Sequence, residues 1–228
     1  MRAPLLVVAW ACAAALGSGC VLARRKVVLP SGDAPAVLLL SGALAPPMSQ
    51  IARHSWFAVR GQGETEWERW EVWNHGDEQW GYVVRRKRDP LAWSLSGRPA
   101  LHAVWRGARA QKAITCIRRE SPRYPDRNTY IPWPGPNSNT FIDWLLRRCL
   151  LDAELPATAV GKDYRGIIGA SWNAGQTGAQ LETPLVGLKL GFTEGVQLHL
   201  FALTIGVDIW PPALLVPFGE GRIGFDDR

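Results

Sequence analysis

Arg53-His54-Ser55-Trp56-Phe57-Ala58-Val59 places a histidine at the head of a run of aromatic and β-branched residues. That composition reads as a β-strand. Gly61-Gln62-Gly63 supplies a turn, and Trp67-Glu68-Arg69-Trp70-Glu71-Val72-Trp73 reads as the return strand. Asn74-His75-Gly76-Asp77 closes it with turn chemistry. A further strand is expected over 80–85, so the folded part of the chain opens as an antiparallel sheet.

Two helices follow. Over 108–121, Ala110, Ala113, Ile114 and Ile117 recur at helical spacing, and Pro122 stops the run. Over 139–151, Phe141, Trp144, Leu145 and Cys149 share one face, with Arg147 and Arg148 suited to the negative end of the helix dipole. Upstream, 36–40 is a short apolar strand, and Pro46-Pro47 breaks the chain before His54. Downstream, the Gly-rich stretch 161–178 reads as a loop. Segments 185–192 and 196–209 flank Thr193-Glu194-Gly195 as a hairpin, which Pro211-Pro212 ends. Residues 219–225 read as a tail lying on the sheet. The expected class is α+β: a mainly antiparallel sheet packed against two helices, with the 185–209 hairpin as an extension.

The chain has 228 residues, enough to bury one sizeable core. Its 47% hydrophobic and 20% charged content excludes a disordered chain. Twelve tryptophans imply either a Trp-rich core or an aromatic-lined groove.

At the N-terminus, Arg2, the apolar run Leu5 to Leu16, and Gly17-Ser18-Gly19-Cys20 form a secretory signal. The apolar run is about half of the roughly 20 residues that a membrane-spanning helix needs. Two processing routes stay open. Leu16-Gly17-Ser18-Gly19-Cys20 resembles a bacterial lipobox with Cys20 as the lipidated residue, although Gly17 stands where Leu is expected. Ordinary cleavage after Ala23 is the other. The expected organisation is a signal over 1–23, a linker over 24–34 and a single domain over 35–228. The expected location is the periplasm, or the membrane through a lipid anchor. In an oxidising compartment Cys116 and Cys149 either pair or remain two buried thiols.

The net charge of +6 gathers partly in Arg24-Arg25-Lys26 and Arg85-Arg86-Lys87-Arg88. An anionic envelope surface is one fit for such runs, and a solvated loop is another. No Walker loop, zinc spacing or helix-turn-helix cue is present, so neither nucleic acid, a cofactor nor a metal is expected.

The chemistry centres on Pro136-Asn137-Ser138-Asn139-Thr140-Phe141-Ile142. It reads as a helix start with a nucleophile-type hydroxyl, Ser138, in the first turn. Helix N-termini offer free N–H groups and partial positive charge, which stabilise an oxyanion. Serine needs a base, and His54 is the candidate. Cross-strand pairing across the 61–64 turn puts Glu71 opposite His54, with His75 as the fallback orienter of the imidazole. Trp133, Asn137 and Asn139 are the candidate substrate contacts. The same residues also have plain structural readings: Asn137-Ser138-Asn139 is a good helix cap, and His54 and Glu71 suit a satisfied strand pair.

His54-Ser55-Trp56-Phe57-Ala58-Val59, the run Trp133 to Phe141, and the run Leu155 to Tyr164 resemble the bacterial domain of unknown function 3750. Gly195 to Leu200 and Ile209 to Ala213 extend that resemblance, which covers about 36–225. No activity comes with it. More distantly, a His strand followed by Asn137-Ser138-Asn139-Thr140-Phe141 is similar to circularly permuted papain-like proteins, including NlpC-type peptidases and lecithin retinol acyltransferase. Those carry Asn-Cys-x-x-Phe at this point, so Ser138 stands in place of the nucleophilic cysteine.

Two readings follow. One is an exported hydrolase or acyltransferase using a Ser-His pair on envelope amides or esters, such as peptidoglycan peptides or lipid acyl groups. The other is a non-catalytic envelope protein that binds or supports with the same scaffold.

Overall fold

The structure is a computed structural model that describes residues 27–77 and 80–225. The expected signal segment over 1–23, with Cys20, lies outside the described residues.

The first sheet comprises β1 (Ala36–Ala43), β2 (Arg53–Arg60), β3 (Glu68–Asp77), β4 (Gly81–Lys87) and β5 (Ser96–Arg106). Its order is β4-β3-β2-β1-β5, antiparallel throughout. Two helices cover one face, α1 (Gly107–Glu120) and α2 (Ser138–Arg148). Alternation along the strands divides the core in two. Val37, Leu39, Phe57, Val59, Trp70 and Val72 pack with the helices. Leu38, Leu40, Trp56, Ala58 and Trp67 pack on the opposite face, under Leu29, Leu91 and Trp93. The fold is therefore α+β, as the periodicities predict.

Several details differ from the sequence reading. β5 was not expected: Pro99 and its polar neighbours mask it, but it lies at the sheet edge, where a missing N–H is tolerated. α2 starts one residue early, at Ser138, and ends at Arg148, because Leu150 takes a left-handed φ of 51° that no α-helix continues. Cys116 and Cys149 form a disulfide with Cα atoms 5.8 Å apart, which ties α1 to the end of α2.

The larger difference lies beyond residue 165. The 185–209 hairpin does not extend the first sheet; it forms the middle of a second. That sheet is a seven-stranded antiparallel meander: β6 (Gly169–Trp172), β7 (Gly178–Glu182), β8 (Val186–Gly191), β9 (Gly195–Leu200), β10 (Leu203–Asp208), β11 (Ala213–Leu215) and β12 (Arg222–Gly224). The expected strand 196–209 is two strands, joined at Phe201-Ala202 with φ of 51° and 61°. Positive φ at both central residues matches a two-residue hairpin turn, normally signalled by Asn-Gly, so the sequence gives no cue. The expected loop 161–178 contains β6, and the expected tail contains β12.

This second sheet carries its polar side chains inward. Gln180, Glu182, Lys189, Gln197, His199 and Thr204 are buried against the 154–164 segment. Outward, the register aligns one residue from each strand: Trp172, Ala179, Leu190, Val196, Val207, Leu214 and Ile223.

Candidate functional site

His54 sits near the start of β2 with its imidazole on the face away from the helices. The β2–β3 ladder pairs Phe57 with Trp70 and Val59 with Glu68. Continuing that register puts Trp73 opposite His54, two residues from the expected partner. Glu71 is the diagonal neighbour, and it still reaches: His54 Nε2 lies 2.7 Å from Glu71 Oε2. Arg69 donates to the same oxygen at 2.6 Å and to the Ala92 carbonyl at 2.8 Å.

Tryptophans enclose this trio. Trp93 stacks on the imidazole at 5.5 Å and Trp73 meets it edge-on at 4.8 Å. The Arg69 guanidinium lies 3.9 Å over Trp56. The indole of Trp93 also fills the space above Gly42, where a Cβ would meet it at 2.3 Å. His54 is 3% exposed.

Burial sets the charge state. Desolvation holds the His54 pKa below its ordinary 6.5, against the opposing pull of Glu71. Burial also works to raise Glu71, but the hydrogen bonds and positive charge at His54 and Arg69 override it and hold the carboxyl at about 2. The state consistent with both shifts at neutral pH is a neutral imidazole beside a Glu71–Arg69 ion pair. An ionised carboxylate only accepts, so Nε2 carries the proton. His75 is exposed near the end of β3 and is not among the hydrogen-bond or ring partners of His54.

Ser138 is the first residue of α2 and is 5% exposed. Since α2 packs on the other face of the sheet, the structure does not bring Ser138 and the His54 imidazole together at an open cleft. Strand alternation is the reason: the odd-numbered residues of β2 face the helices, and His54 does not.

Asn137 and Asn139, expected to contact substrate, are instead spent on the backbone. The Asn137 side-chain oxygen accepts from the Asn139 and Thr140 N–H groups, and Thr140 Oγ1 accepts from the Asn137 N–H, a complete capping box. The Asn137 amide donates to the Pro132 and Val160 carbonyls at 3.0 and 3.1 Å. The Asn139 amide donates to the Arg53 and Val160 carbonyls, both at 2.8 Å. Gly161 makes this possible: its φ is 88°, and a Cβ there would strike the Asn137 amide at 2.3 Å. These bonds fasten the helix start to β2 and to the 156–164 segment. Trp133 remains partly exposed.

Two clusters were not foreseen. Ser41 Oγ lies 2.7 Å from His102 Nε2 and accepts from Arg53 Nε at 2.8 Å. Arg53 also pairs with Glu220 at 3.2 Å, beside a cleft of about 80 Å³ lined by Gln50, Ser96 and Gly219. Ser41 itself is fully buried. This arrangement depends on β5, the strand the sequence hides, so no local signal could have found it.

The other cluster lies inside the second sheet. His199 Nδ1 is 2.6 Å from Glu182, and its Nε2 is 3.4 Å from Asp163. Ligand-type atoms of Asp163, Glu182 and His199 lie within 4.8 Å of one another, close enough to surround a cation. Lys162 and Lys189, however, stand 2.5 and 3.4 Å from the Asp163 carboxylate. Two ammonium groups already supply the positive charge that a metal would bring, so the donor set reads as an ion-pair network. The adjoining cleft holds about 10 Å³. Both clefts fall far below the roughly 300–1,000 Å³ of a small-molecule site.

Residues 36–164, the whole first sheet and both helices, match the family described as a protein of unknown function (DUF3750), and the chain belongs to that family. The match stops short of the second sheet, and so is narrower than the 36–225 resemblance. No curated protein and no solved structure matches the chain.

Proposed function

We propose that this chain is an exported envelope protein that acts by binding, on a scaffold related to the permuted papain-like proteins, and that its His54–Glu71–Arg69 cluster is structural. One observation carries the reading: the imidazole is boxed in by tryptophan and faces away from Ser138. A general base must reach the proton it abstracts, and a buried imidazole bonded to a carboxylate on the wrong face does not. The Cys116–Cys149 disulfide supports export, since such bonds persist in oxidising compartments. Envelope peptides or lipid acyl groups remain the partner classes, with Trp133 as the exposed aromatic of the helix-start loop.

The second reading, a Ser-His hydrolase or acyltransferase, draws support from the Ser41–His102 hydrogen bond. Arg53 donates to the same Oγ, and with the Nδ1–H tautomer of His102 the hydroxyl donates its proton to Nε2.

A serine-reactive phosphonate probe distinguishes the two on wild type, Ser138→Ala and Ser41→Ala. The binding reading expects no labelling of any of them. Labelling lost in Ser138→Ala restores the helix-start nucleophile, and labelling lost in Ser41→Ala transfers it to β1. Mass spectrometry of the mature N-terminus tests export: an acylated Cys20 or a free Arg24 supports it, and an intact Met1 defeats it.

A further inference from the structure

The second sheet reverses the usual polarity of a water-facing sheet. Glu182, Lys189, Asp208 and Arg222 are the charged residues of its seven strands. The first three are buried on the inner face, and Arg222 turns inward to pair with Asp208. No strand of the sheet therefore places a charged side chain on the outer face, and the acids of its turns are engaged, Glu194 by Asn173 and Thr177 and Glu220 by Arg53. At about 4.8 Å between strands this face is about 30 Å wide. Water-exposed sheets alternate with the apolar side inward, and monomers rarely leave so large an apolar surface open.

The distribution of side chains on this face identifies what covers it. Aliphatic residues fill the inner row, Leu181, Leu188, Leu198 and Ile205, and most of the row beside it that crosses all seven strands and ends in Trp172. Aromatic residues occupy both ends. Trp172 ends the outward row, exposed Phe192, Trp210 and Phe225 follow the strand ends on the same side of the sheet, and exposed Phe201 and Phe218 sit in the turns at the opposite ends, with Phe192 86% and Trp210 74% exposed. Protein interfaces have the opposite anatomy, an apolar centre inside a polar rim. A second copy seated here would leave the aromatic rim at the wet perimeter. Lipid-facing β-structure shows the pattern seen here: apolar outward, polar inward, aromatics banding the ends. The strands, at three to six residues, are too short to span a bilayer, which takes about 9–11.

We infer that the outer face of the second sheet lies flat on a lipid bilayer, with Trp172, Trp210 and the aliphatic rows reaching the acyl chains just beneath the headgroups. The inference holds whether or not the first sheet supports catalysis. Because the face carries no cation, its contact needs no anionic lipid.

The test uses the full chain and vesicles of phosphatidylcholine brominated on the acyl chains, which quench only tryptophans that reach them. Wild type should show vesicle-dependent quenching that survives high salt. Trp172→Phe/Trp210→Phe, a conservative pair, should remove roughly half of it or more. Leu190→Ser/Val196→Ser/Val207→Ser should reduce it to the same level, with an unchanged circular dichroism spectrum. Quenching that neither variant alters overturns the inference. So does a wild-type dimer in sedimentation that the serine variant converts to monomer without loss of quenching, which would make a second copy the occupant. If the serine variant misfolds, the Trp→Phe pair alone decides.

Discussion

Replacing Glu71 by Gln keeps the side chain's shape and an oxygen for His54, and removes only the charge. Two estimates of the cost converge. A carboxyl moved from 4.5 to about 2 carries about 3 kcal/mol of pH-dependent stability. Removing one partner of a buried ion pair costs about 3–5 kcal/mol, because Arg69 is left charged among tryptophans. Glu71→Gln should therefore lose about 3–4 kcal/mol at neutral pH. The pH dependence sharpens the test. The folded pKa of Glu71 lies below its unfolded value, so its contribution is complete above about 4.5 and is lost as pH falls toward 2. His54 is also depressed, so the unfolded chain takes up a proton near 6.5 that the folded chain refuses. Stability thus begins to fall as pH drops through 6.5, in wild type and variant alike. Guanidinium unfolding followed by tryptophan fluorescence, with the disulfide intact, measures both. The variant should keep the upper slope and lose the contribution of residue 71 to the lower one. A cost under about 1 kcal/mol, or identical slopes from pH 5 to 2, would refute the reasoning.

Asn137→Ala removes the capping box and two amide bonds, and should cost about 2 kcal/mol in the same assay. Cys116→Ser/Cys149→Ser opens a link between residues 33 apart in sequence and should cost about 3–4 kcal/mol, read as a lower denaturation midpoint. Lys189→Met removes the buried ammonium that the second sheet sets between Glu154 and Asp163 of the 154–164 segment. Their charge is what drives the Lys189 pKa above its ordinary value despite burial, so losing the ammonium should cost about 3 kcal/mol and lower the melting temperature.

The first sheet was legible because β2 and β3 announce themselves through Trp, Phe and Val around a glycine turn. The helices were legible because Ala110, Ile114 and Ile117 keep strict helical spacing. The His54–Glu71 contact was visible as a cross-strand neighbour, although the true register is offset by two residues and only the length of the glutamate side chain bridges it. Which face the imidazole takes was not legible from the motif. It follows from parity along β2 once the helices are placed, and helix placement is tertiary information. Ser41–His102 stayed hidden because Pro99 disguises β5. The second sheet was misread for a physical reason: Phe201-Ala202 turns the chain without glycine or asparagine, and joined two strands look like one. Its two faces were nonetheless separated in Leu188-Lys189-Leu190 and Val196-Gln197-Leu198-His199-Leu200, but strict alternation says nothing of which side faces water, so the reversal stayed hidden.

β1 is the first strand of the described chain and the fourth of five across its sheet, buried along nearly its whole length. β2 follows within ten residues and covers one edge. The other edge waits for β5, which begins at Ser96. Until then Val37-Leu38-Leu39-Leu40 presents unpaired backbone on a short, uncharged, β-prone segment, the kind that seeds association between chains. A chain delivered N-terminus first thus spends its early life with its stickiest edge open, and the closure that protects it is the long-range pairing that forms most slowly. For this fold, the hazard is one of timing.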